Sequence, residues 1–438
     1  MGGPLFFCFP GQNSIFGAMT SGGLLIENIG QLATCAGGKP GPVIGAFEKA
    51  LGLQAGVSIA VENGKILAIG GRKALAGRHD FDSFARMDAG GQLVTPGLVD
   101  CHTHPVFAGD RKEEFELRNQ GVSYETIAKK GGGIFSTVRA TRKASSEGLE
   151  RLLLQRLKCF IAEGTTTLEA KSGYGLSFVD EIKQLEVIQS AQEKQAVELV
   201  PTFLGAHTLP PEFRNKRKEY VRLLIEKLLP VVAERKLAVF CDVFVEKIAF
   251  SYAEAKEILL AGKKMGLWPK LHADQLTNGN GGKLAAEVGA VSADHLEFVS
   301  DSGIKALKKS GTVAVLLPSA SFYLRARKEP PVKKLLAAKV PLALATDFNP
   351  GSSPNYSLAF TMTLACVAWG FSAAQAFLAV SRNAAYAVGK GGEAGILAPG
   401  KRADLVLWEA EDYRELSYYT GVRLARSVVK GGKVVWQN

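Results

Sequence analysis

Long apolar runs, paired cysteines and histidines are all scarce in this chain of 438 residues. No apolar run is long enough to span a bilayer, so we expect no association with a membrane. The six cysteines lie far apart without paired spacing, which excludes a disulfide framework and indicates free thiols in a reducing compartment. We therefore predict a cytoplasmic protein.

The first 21 residues form an apolar extension that lacks the features of a targeting signal. Residues 1–19 contain no charged side chain and so lack the basic region that begins a secretory signal. Met19 is a candidate start of the natural chain. We expect residues 1–21 to be either a disordered arm or additional sequence that is not native.

The net charge of +11 does not indicate a nucleic-acid partner. The 53 basic and 42 acidic residues are scattered, and no basic stripe is interleaved with aromatics. We interpret the charge as a solvated surface, with mild steering of an anionic small-molecule substrate as the second interpretation. A hydrophobic content of 47% is ample for a large core.

Four of the six histidines fall in short segments that follow strand-like runs, at residues 101–104, 271–274, 293–295 and 345–348. His102 and His104 are two residues apart, and a strand places such residues on one face. Zinc and similar metals bind neutral histidine nitrogens and a carboxylate while leaving a position for water. We therefore predict one metal ion held by His102, His104, His272 and Asp347; taken alone, the His102 and His104 pair also fits a polar strand end.

Short β-rich runs alternate with longer stretches of helical periodicity between residues 95 and 395. This pattern is typical of an α/β fold in which eight βα units close into a (β/α)8 TIM barrel. Each candidate ligand follows a predicted strand, at the face where such barrels build their active sites. The eight strands are predicted to end near Asp100, Ala170, Leu204, Val245, Ala273, Asp294, Leu317 and Thr346.

Strand-like runs at both ends of the chain predict a second, smaller domain. Residues 57–70 are apolar, or alternate between apolar and polar, on both sides of Asn63-Gly64, and this pattern is typical of a β-hairpin. Residues 403–408 and 426–436 have the same character. We predict a small β-sandwich domain from residues 22–94 and 396–438, with the barrel over residues 95–395.

The chain resembles the amidohydrolase superfamily and, more closely, its imidazolonepropionase family. The superfamily resemblance lies in residues 95–104 and in the return to the small domain at residues 399–406. The narrower resemblance lies in five segments in order, at residues 171–176, 203–207, 272–275, 292–295 and 346–353. It implies hydrolytic opening of the ring amide of 4-imidazolone-5-propanoate to N-formimidoyl-L-glutamate in histidine degradation, with a single zinc or iron ion. A homodimer is also expected from similar enzymes.

Two residues are candidates for the chemistry itself. Asp347 stands beside the predicted metal and can accept a proton from water and pass it to the leaving ring nitrogen. His295 can hydrogen-bond the substrate carbonyl or the developing oxyanion. The alternative role of His295 is to orient another ligand.

The candidate substrate contacts lie in the loops that follow the strands: Arg111, Tyr124, Tyr174, His207, Gln275, Asn349, Gly351 and Ser352. The resemblance assigns Arg111 to the propanoate carboxylate, which suits its forked donors, and keeps His207 off the metal. Without the resemblance, Arg111 is equally a surface residue and His207 a structural one. Tyr124 is a weaker candidate that also fits a packing role.

The chain departs from the resemblance at one position and leaves three alternatives open. Gln275 stands where some members of the family have Glu, and a neutral amide cannot act as a base. A second metal on a bridging lysine is not expected, although Glu246 and Lys247 end the fourth predicted strand. The alternative functions are another cyclic amidohydrolase or ring deaminase and, from a different class, a barrel that only binds; the latter is not expected, since every metal ligand is present.

Overall fold

The computed structural model describes residues 23–77, 80–122, 126 and 131–438. The predicted extension at residues 1–21 and the predicted substrate contact Tyr124 lie outside the described residues. Within the described part of the chain, no helix is long and apolar enough to cross a membrane. Cys35, Cys101, Cys241 and Cys366 are free thiols, as predicted.

The first five strands precede the barrel. Asn63 and Gly64 both adopt positive φ, 50° and 75°, which the tight turn of a hairpin requires, so the predicted hairpin is confirmed. The strands are β1 (Leu24–Ala33), β2 (Leu53–Glu62), β3 (Lys65–Gly70), β4 (Ala85–Asp88) and β5 (Leu93–Pro96).

The next eight strands are parallel neighbours in chain order, and each ends within two residues of its predicted end. Most of their residues are buried, as expected for strands covered on both faces. They are β6 (Leu98–Asp100), β7 (Thr165–Lys171), β8 (Glu198–Ala206), β9 (Phe240–Val245), β10 (Trp268–Ala273), β11 (Ser292–His295), β12 (Val313–Leu316) and β13 (Leu342–Leu344).

The barrel closes between the exits of β6 and β13. Asp100 accepts hydrogen bonds from the backbone N–H of Thr346 at 3.1 Å and from its hydroxyl at 2.6 Å. Beyond them, Thr103 and Phe348 form a parallel bridge, and the N–H of His104 donates to the carbonyl of Phe348 at 2.8 Å. The closure therefore brings the first and last strand exits, with their candidate ligands, side by side.

Helices cover the barrel, and several of them begin at a serine whose side chain caps the first turn. Ser145 caps the helix that follows it, and Ser251 with Glu254 forms a capping box. In the described residues between β6 and β13, the α-helices are Lys112–Asn119, Ile134–Lys143, Ser146–Ala162, Phe178–Gln192, Arg217–Arg222, Leu229–Glu234, Tyr252–Lys264, Gly281–Val288, Asp301–Ser310, Pro318–Tyr323 and Val332–Ala337; Pro211–Phe213 is a 3-10 turn and Leu223–Leu228 a π-helical segment. Those after β13 are Leu358–Trp369, Ala373–Ala379 and Arg382–Ala387.

The C-terminal strands β14 (Leu405–Trp408), β15 (Ala425–Lys430) and β16 (Lys433–Gln437) join the first five in one sheet. Its order is β16-β15-β14-β5-β1-β2-β3, with β4 against β1. The short helices Phe47–Leu51, Arg72–Ala76 and Glu415–Tyr418 accompany it. The predicted fold, a (β/α)8 barrel with a small β domain from both ends of the chain, is confirmed; the strands of the small domain, which was predicted as a β-sandwich, are joined in one hydrogen-bonded sheet. The domain boundaries stay a prediction, and β5 runs across the first of them.

Glu198, at the start of β8, ties the barrel to the terminal sheet. Its carboxylate pairs with Lys390 at 2.9 Å, with Arg402, and with Lys430 at 3.6 Å. Burial opposes ionisation, but Lys430, Lys390 and Arg402 together lower the pKa of Glu198 to about 2. The ion pairs therefore stabilise the junction of the two sheets.

We predict that Glu198→Gln lowers the free energy of unfolding by roughly 1–3 kcal/mol at pH 7, since three cations lose a partly buried partner. Because the folded pKa lies below the ordinary value of 4.5, this stability is present above about pH 4.5 and is lost as the pH falls toward 2. Denaturant unfolding at several pH values measures it. The control is Glu186→Gln, which removes an exposed pair with Arg235; equal losses in both variants at pH 7 would contradict the prediction.

Candidate active site

Four ligand atoms converge where β6, β10 and β13 end. The Nε2 atoms of His102 and His104 are 3.3 Å apart, and that of His272 is 3.4 Å from that of His104. Oδ1 of Asp347 lies 3.5 Å from Nε2 of both His102 and His104. All four side chains are buried. The structure therefore brings together the complete set of residues predicted to bind the metal.

The spacing of these atoms fits one small metal ion. Ligands held about 2.0–2.1 Å from a tetrahedral zinc ion lie about 3.3–3.4 Å from each other, which matches the distances between neighbouring donors here. The three histidine nitrogens also lie within 4.8 Å of one another. Burial, helped by Lys171, lowers the pKa of His102 well below its usual range, and burial does the same for His104. Both rings are therefore neutral, the form that binds metals.

Two carboxylates accept hydrogen bonds from the Nδ1 atoms of His102 and His272, the ring nitrogens on the side away from the ligand cluster. Nδ1 of His102 donates to Oδ2 of Asp294 at 2.6 Å, and Nδ1 of His272 donates to Asp242 at 3.1–3.2 Å. With the hydrogen on Nδ1, the lone pair of each Nε2 faces the ligand cluster. No role was predicted for Asp242 or Asp294 from the sequence.

Two buried lysines neutralise these carboxylates. Lys171 Nζ lies 2.7 Å from Asp242 and 2.9 Å from Glu169, and Lys270 Nζ lies 2.9 Å from Glu169 and 3.9 Å from Asp294. Burial alone would lower the pKa of Lys171, but the carboxylates of Asp242, Glu169 and Asp294 raise it above its ordinary value. We call these five residues the ionic layer. Its signal in the sequence was charge at alternate positions of buried strands, such as Glu169 and Lys171, or Lys270 before His272.

His295 stands at the end of β11 beside the ligand cluster. Its ring centroid lies 5.4 Å from that of His272 and 5.6 Å from that of His102. His295 and the following Leu296 both have positive φ, 83° and 71°, which is unusual for residues with side chains. Backbone strain of this kind concentrates at functional sites, and here it turns the chain sharply at the strand end.

Tyr174 and His207 line the opposite side of the cluster. The His207 ring stacks on that of His104 with centroids 5.3 Å apart, and the Tyr174 ring lies 5.5 Å from that of His207. Nδ1 of His207 donates to the carbonyl of Gly173 at 3.0 Å. A Cβ on Gly173, whose φ is 109°, would lie 3.1 Å from that same nitrogen, so only glycine lets the two loops approach this closely. Among the described residues, the three histidines whose nitrogens lie close enough together to hold one ion are His102, His104 and His272, and His207 is not one of them.

Arg111 and the turn after β13 also meet. The Arg111 guanidinium pairs with Glu114 through Nε at 2.8 Å and Nη2 at 2.5 Å. A Cβ on Gly351 would lie 2.1 Å from Nη1 of Arg111, so the absence of a side chain at Gly351 makes room for the guanidinium. The loops that carry Arg111 and Gly351 are 240 residues apart in the sequence, and the closed barrel places them in contact.

Asn349 shapes the turn that contains Gly351 and Ser352. Its Oδ1 accepts from the backbone N–H of Gly351 at 2.9 Å and of Ser352 at 2.8 Å. Its Nδ2 donates to the carbonyl of Asp347 at 2.7 Å and to the Ser352 hydroxyl at 2.8 Å. The side chain of Asn349 is thus engaged within its own turn, and its contact with substrate stays a prediction.

Gln275 lines a cavity of about 340 Å³ beside the cluster, together with Glu297, Ser321 and the basic side chains of Arg325, Arg327 and Lys328. The loop of Gln275 is held by Glu246, which accepts from the N–H of Leu276 at 2.7 Å and of Thr277 at 2.9 Å. Glu246 is thus used to hold a loop, and Lys247 beside it is exposed. The expectation of a single metal stays a prediction.

Comparison with known proteins places this geometry in a family. A model of the amidohydrolase family matches residues 130–436. Imidazolonepropionase of Geobacillus kaustophilus (strain HTA426) is 46% identical over 415 residues, which cover 94% of this chain and 97% of that protein. Imidazolonepropionase of Myxococcus xanthus (strain DK1622) is 45% identical over 411 residues, 94% of this chain and 96% of that protein. The chain belongs to the imidazolonepropionase family of amidohydrolases.

Solved structures with the same fold come from more distant amidohydrolases. An adenosine deaminase from Xanthomonas campestris with bound zinc has a TM-score of 0.68 and 18% identity, covering 94% of this chain and 92% of its own. E. coli guanine deaminase has a TM-score of 0.71 and 14% identity, covering 94% and 99%. At these identities the likeness shows the fold alone. The family membership and the histidine cluster support a metal cofactor.

We predict that Asp294→Asn weakens metal binding by roughly 10–100-fold, the usual effect of losing a partner behind a histidine ligand. Both oxygens of Asp294 accept hydrogen bonds, from Ser292 and from His102, whereas an amide has one acceptor oxygen. Competition with a metal-binding dye measures the dissociation constant. The control is Glu169→Gln, which removes a charge from the same layer at a residue that pairs with both lysines. An equal loss of affinity in both variants would contradict the role of Asp294.

Proposed function

We propose that this protein is a metal-dependent hydrolase that opens the ring amide of 4-imidazolone-5-propanoate and gives N-formimidoyl-L-glutamate. The observation that carries the proposal is the convergence of three histidine nitrogens and Asp347 at the strand exits, in a chain 44–46% identical to imidazolonepropionases over 94% of its length. Small-molecule hydrolysis at a cyclic C–N bond is therefore the activity that site and family both support.

His102, His104, His272 and Asp347 would hold one metal ion. When bound, zinc or iron would supply a Lewis acid that makes water a nucleophile near neutral pH and polarises the ring carbonyl. The ionic layer fixes the hydrogen of His102 and His272 on Nδ1, so the nitrogens that face the ion stay free to bind it. The choice between the two metals is open to direct analysis.

Asp347 is the proposed general base. Burial raises its pKa well above the ordinary range for aspartate, and a cation bound beside it would lower that pKa and favour the ionised carboxylate that accepts a proton. It takes the proton of the attacking water and returns it to the ring nitrogen as the C–N bond breaks. The water oxygen becomes part of the new carboxylate of the product, and no nitrogen leaves the molecule.

His295 is proposed to stabilise the negative charge that develops on the substrate oxygen during attack. The remaining predicted residues would bind the two ends of the substrate. Arg111 and the turn of Asn349, Gly351 and Ser352 would hold the propanoate, while Tyr174, His207 and Gln275 would face the ring. Tyr124 is kept in this set from the sequence alone.

A cytoplasmic location, a homodimer and the absence of nucleic-acid or membrane partners complete the proposal. The free thiols of Cys35, Cys101, Cys241 and Cys366 support this location, because cysteines stay unpaired in a reducing compartment. Analytical ultracentrifugation of the purified protein tests the dimer, and a monomer at micromolar concentration would contradict it. The assignment of the active site does not depend on the cellular location or on the oligomeric state.

We predict that the protein loaded with zinc or iron consumes imidazolonepropanoate without releasing ammonia. The loss of the ultraviolet absorbance of the ring is followed in parallel with an ammonia assay, because deamination of adenosine or guanine would release ammonia and ring opening does not. His272→Ala removes one of the few protein ligands and should lose both metal and activity. Turnover of a nucleobase in place of the imidazolone, or full activity of His272→Ala, would contradict the proposal.

Arg111→Met is predicted to raise KM roughly 10–100-fold with little change in metal content, because one guanidinium–carboxylate contact is lost. Gly351→Ala should act in the same direction, since its Cβ would displace Nη1 of Arg111. Steady-state kinetics with metal analysis measure both effects. The control is Lys112→Met, which removes the neighbouring exposed cation. An unchanged KM in Arg111→Met would return Arg111 to a surface role.

A further inference from the structure

Glu297 is a buried carboxyl beside the active site that the proposed reaction leaves without a role. It follows His295 by two residues and is 4% exposed. Its Oε1 accepts from the Ser321 hydroxyl at 3.1 Å and lies 4.0 Å from Nδ1 of His295. Its Oε2 and Nδ1 of His295 are both buried and have no hydrogen-bond partner among the described residues. Two neighbouring buried polar atoms without partners are costly and therefore need an explanation.

The strained end of β11 is what places these two side chains together. Leu296, with φ of 71°, donates its N–H to the carbonyl of Ala273 at 3.0 Å. Phe298 donates its N–H to the carbonyl of Asp274 at 2.7 Å. The two hydrogen bonds hold the turn against the exit of β10, so Glu297 stays next to His295 at the edge of the barrel mouth.

We propose that Glu297 is a positioning residue for His295: its carboxyl hydrogen-bonds Nδ1 and so keeps a hydrogen on Nε2 for donation to the oxygen of the substrate amide. This inference rests on the proposed function and on the role of His295 in it. The present distance of 4.0 Å exceeds a hydrogen bond by about 1 Å, a movement within reach of a glutamate side chain. Hydrogen bonds at active sites often shorten only when substrate binds.

The chemistry of the pair explains why a carboxyl is suited to this position. A protonated carboxyl donates to Nδ1, and the neutral ring then carries its hydrogen on Nε2. If the proton moves to Nδ1, the ring carries hydrogens on both nitrogens. Nε2 remains a donor in either arrangement. Burial raises the pKa of Glu297 to about 7, so the protonated carboxyl is accessible near neutral pH.

The neighbouring polar residues do not supply the same contact. Gln275 lines the same cavity, but Glu297 is the residue whose side chain lies 4.0 Å from Nδ1 of His295. Both oxygens of Glu246 accept hydrogen bonds from the 276–277 loop. Among the described residues that line this cavity, Glu297 is thus the carboxyl that remains available to His295.

Two substitutions separate positioning from packing. Glu297→Gln keeps the shape and an N–H that can donate to Nδ1, whereas Glu297→Leu keeps the bulk and removes the donor. We expect Glu297→Leu to lower kcat roughly 10–100-fold with KM, metal content and Tm close to wild type, and Glu297→Gln to restore most of kcat. An unchanged kcat in Glu297→Leu, or equal losses in both variants, would overturn the proposal.

Nitrogen NMR of protein labelled with 15N-histidine gives a readout that needs no substrate. The chain has six histidines, and the signals of His295 are identified by their loss in His295→Asn. We expect the hydrogen on Nε2 in the wild type and in Glu297→Gln, and a shift toward Nδ1–H in Glu297→Leu. The same tautomer in wild type and Glu297→Leu would refute the pairing. A wild-type protein that shows the expected tautomers but does not consume imidazolonepropanoate would instead contradict the proposed function.

Discussion

The active site depends on two buried carboxylates, Asp242 and Asp294, that each join a lysine to a histidine. On one side Lys171 and Lys270 approach them at 2.7–4.0 Å; on the other, His272 and His102 donate to them through Nδ1. A buried carboxylate without a cation would take up a proton or destabilise the barrel. The lysines keep both carboxylates charged, and charged carboxylates fix the histidine hydrogens away from the ligand cluster.

The strand exits supply the second constraint. Asp274, His295 and Asp347 each adopt positive φ where a strand ends. Such conformations cost energy in residues with a Cβ, and the surrounding hydrogen bonds must hold them. Asp274, for example, accepts from the N–H groups of Gly279, Gly281 and Gly282. The sharp turns direct side chains inward at the mouth of the barrel instead of letting the chain continue outward.

Most of the fold was accessible from the sequence because its signals are local. The eight strand ends were predicted within two residues, since buried parallel strands are short apolar runs that stand out between periodic helices. The hairpin at Asn63-Gly64 has an equally local cause. The candidate ligands were accessible for a related reason: few histidines occur, and five of the six lie at or just after the end of a strand. The ionic layer was not inferred, because charges at alternate positions of a buried strand do not reveal which partner each one meets on another strand.

The sequence by itself determined which residues could bind a metal and at which strand ends they lie, because strand periodicity and the topology of a barrel assign them to one face. Only the tertiary structure decided which other groups contact these residues and orient their side chains. Asp294 hydrogen-bonds His102, which lies 192 residues away in the sequence, and Gly351 makes room for Arg111, which lies 240 residues away. Glu297 became a partner for His295 only through the turn at Leu296. Pairings of this kind arise from the closure of the barrel, which brings distant strand exits within hydrogen-bonding distance and removes the water that would otherwise satisfy their polar atoms.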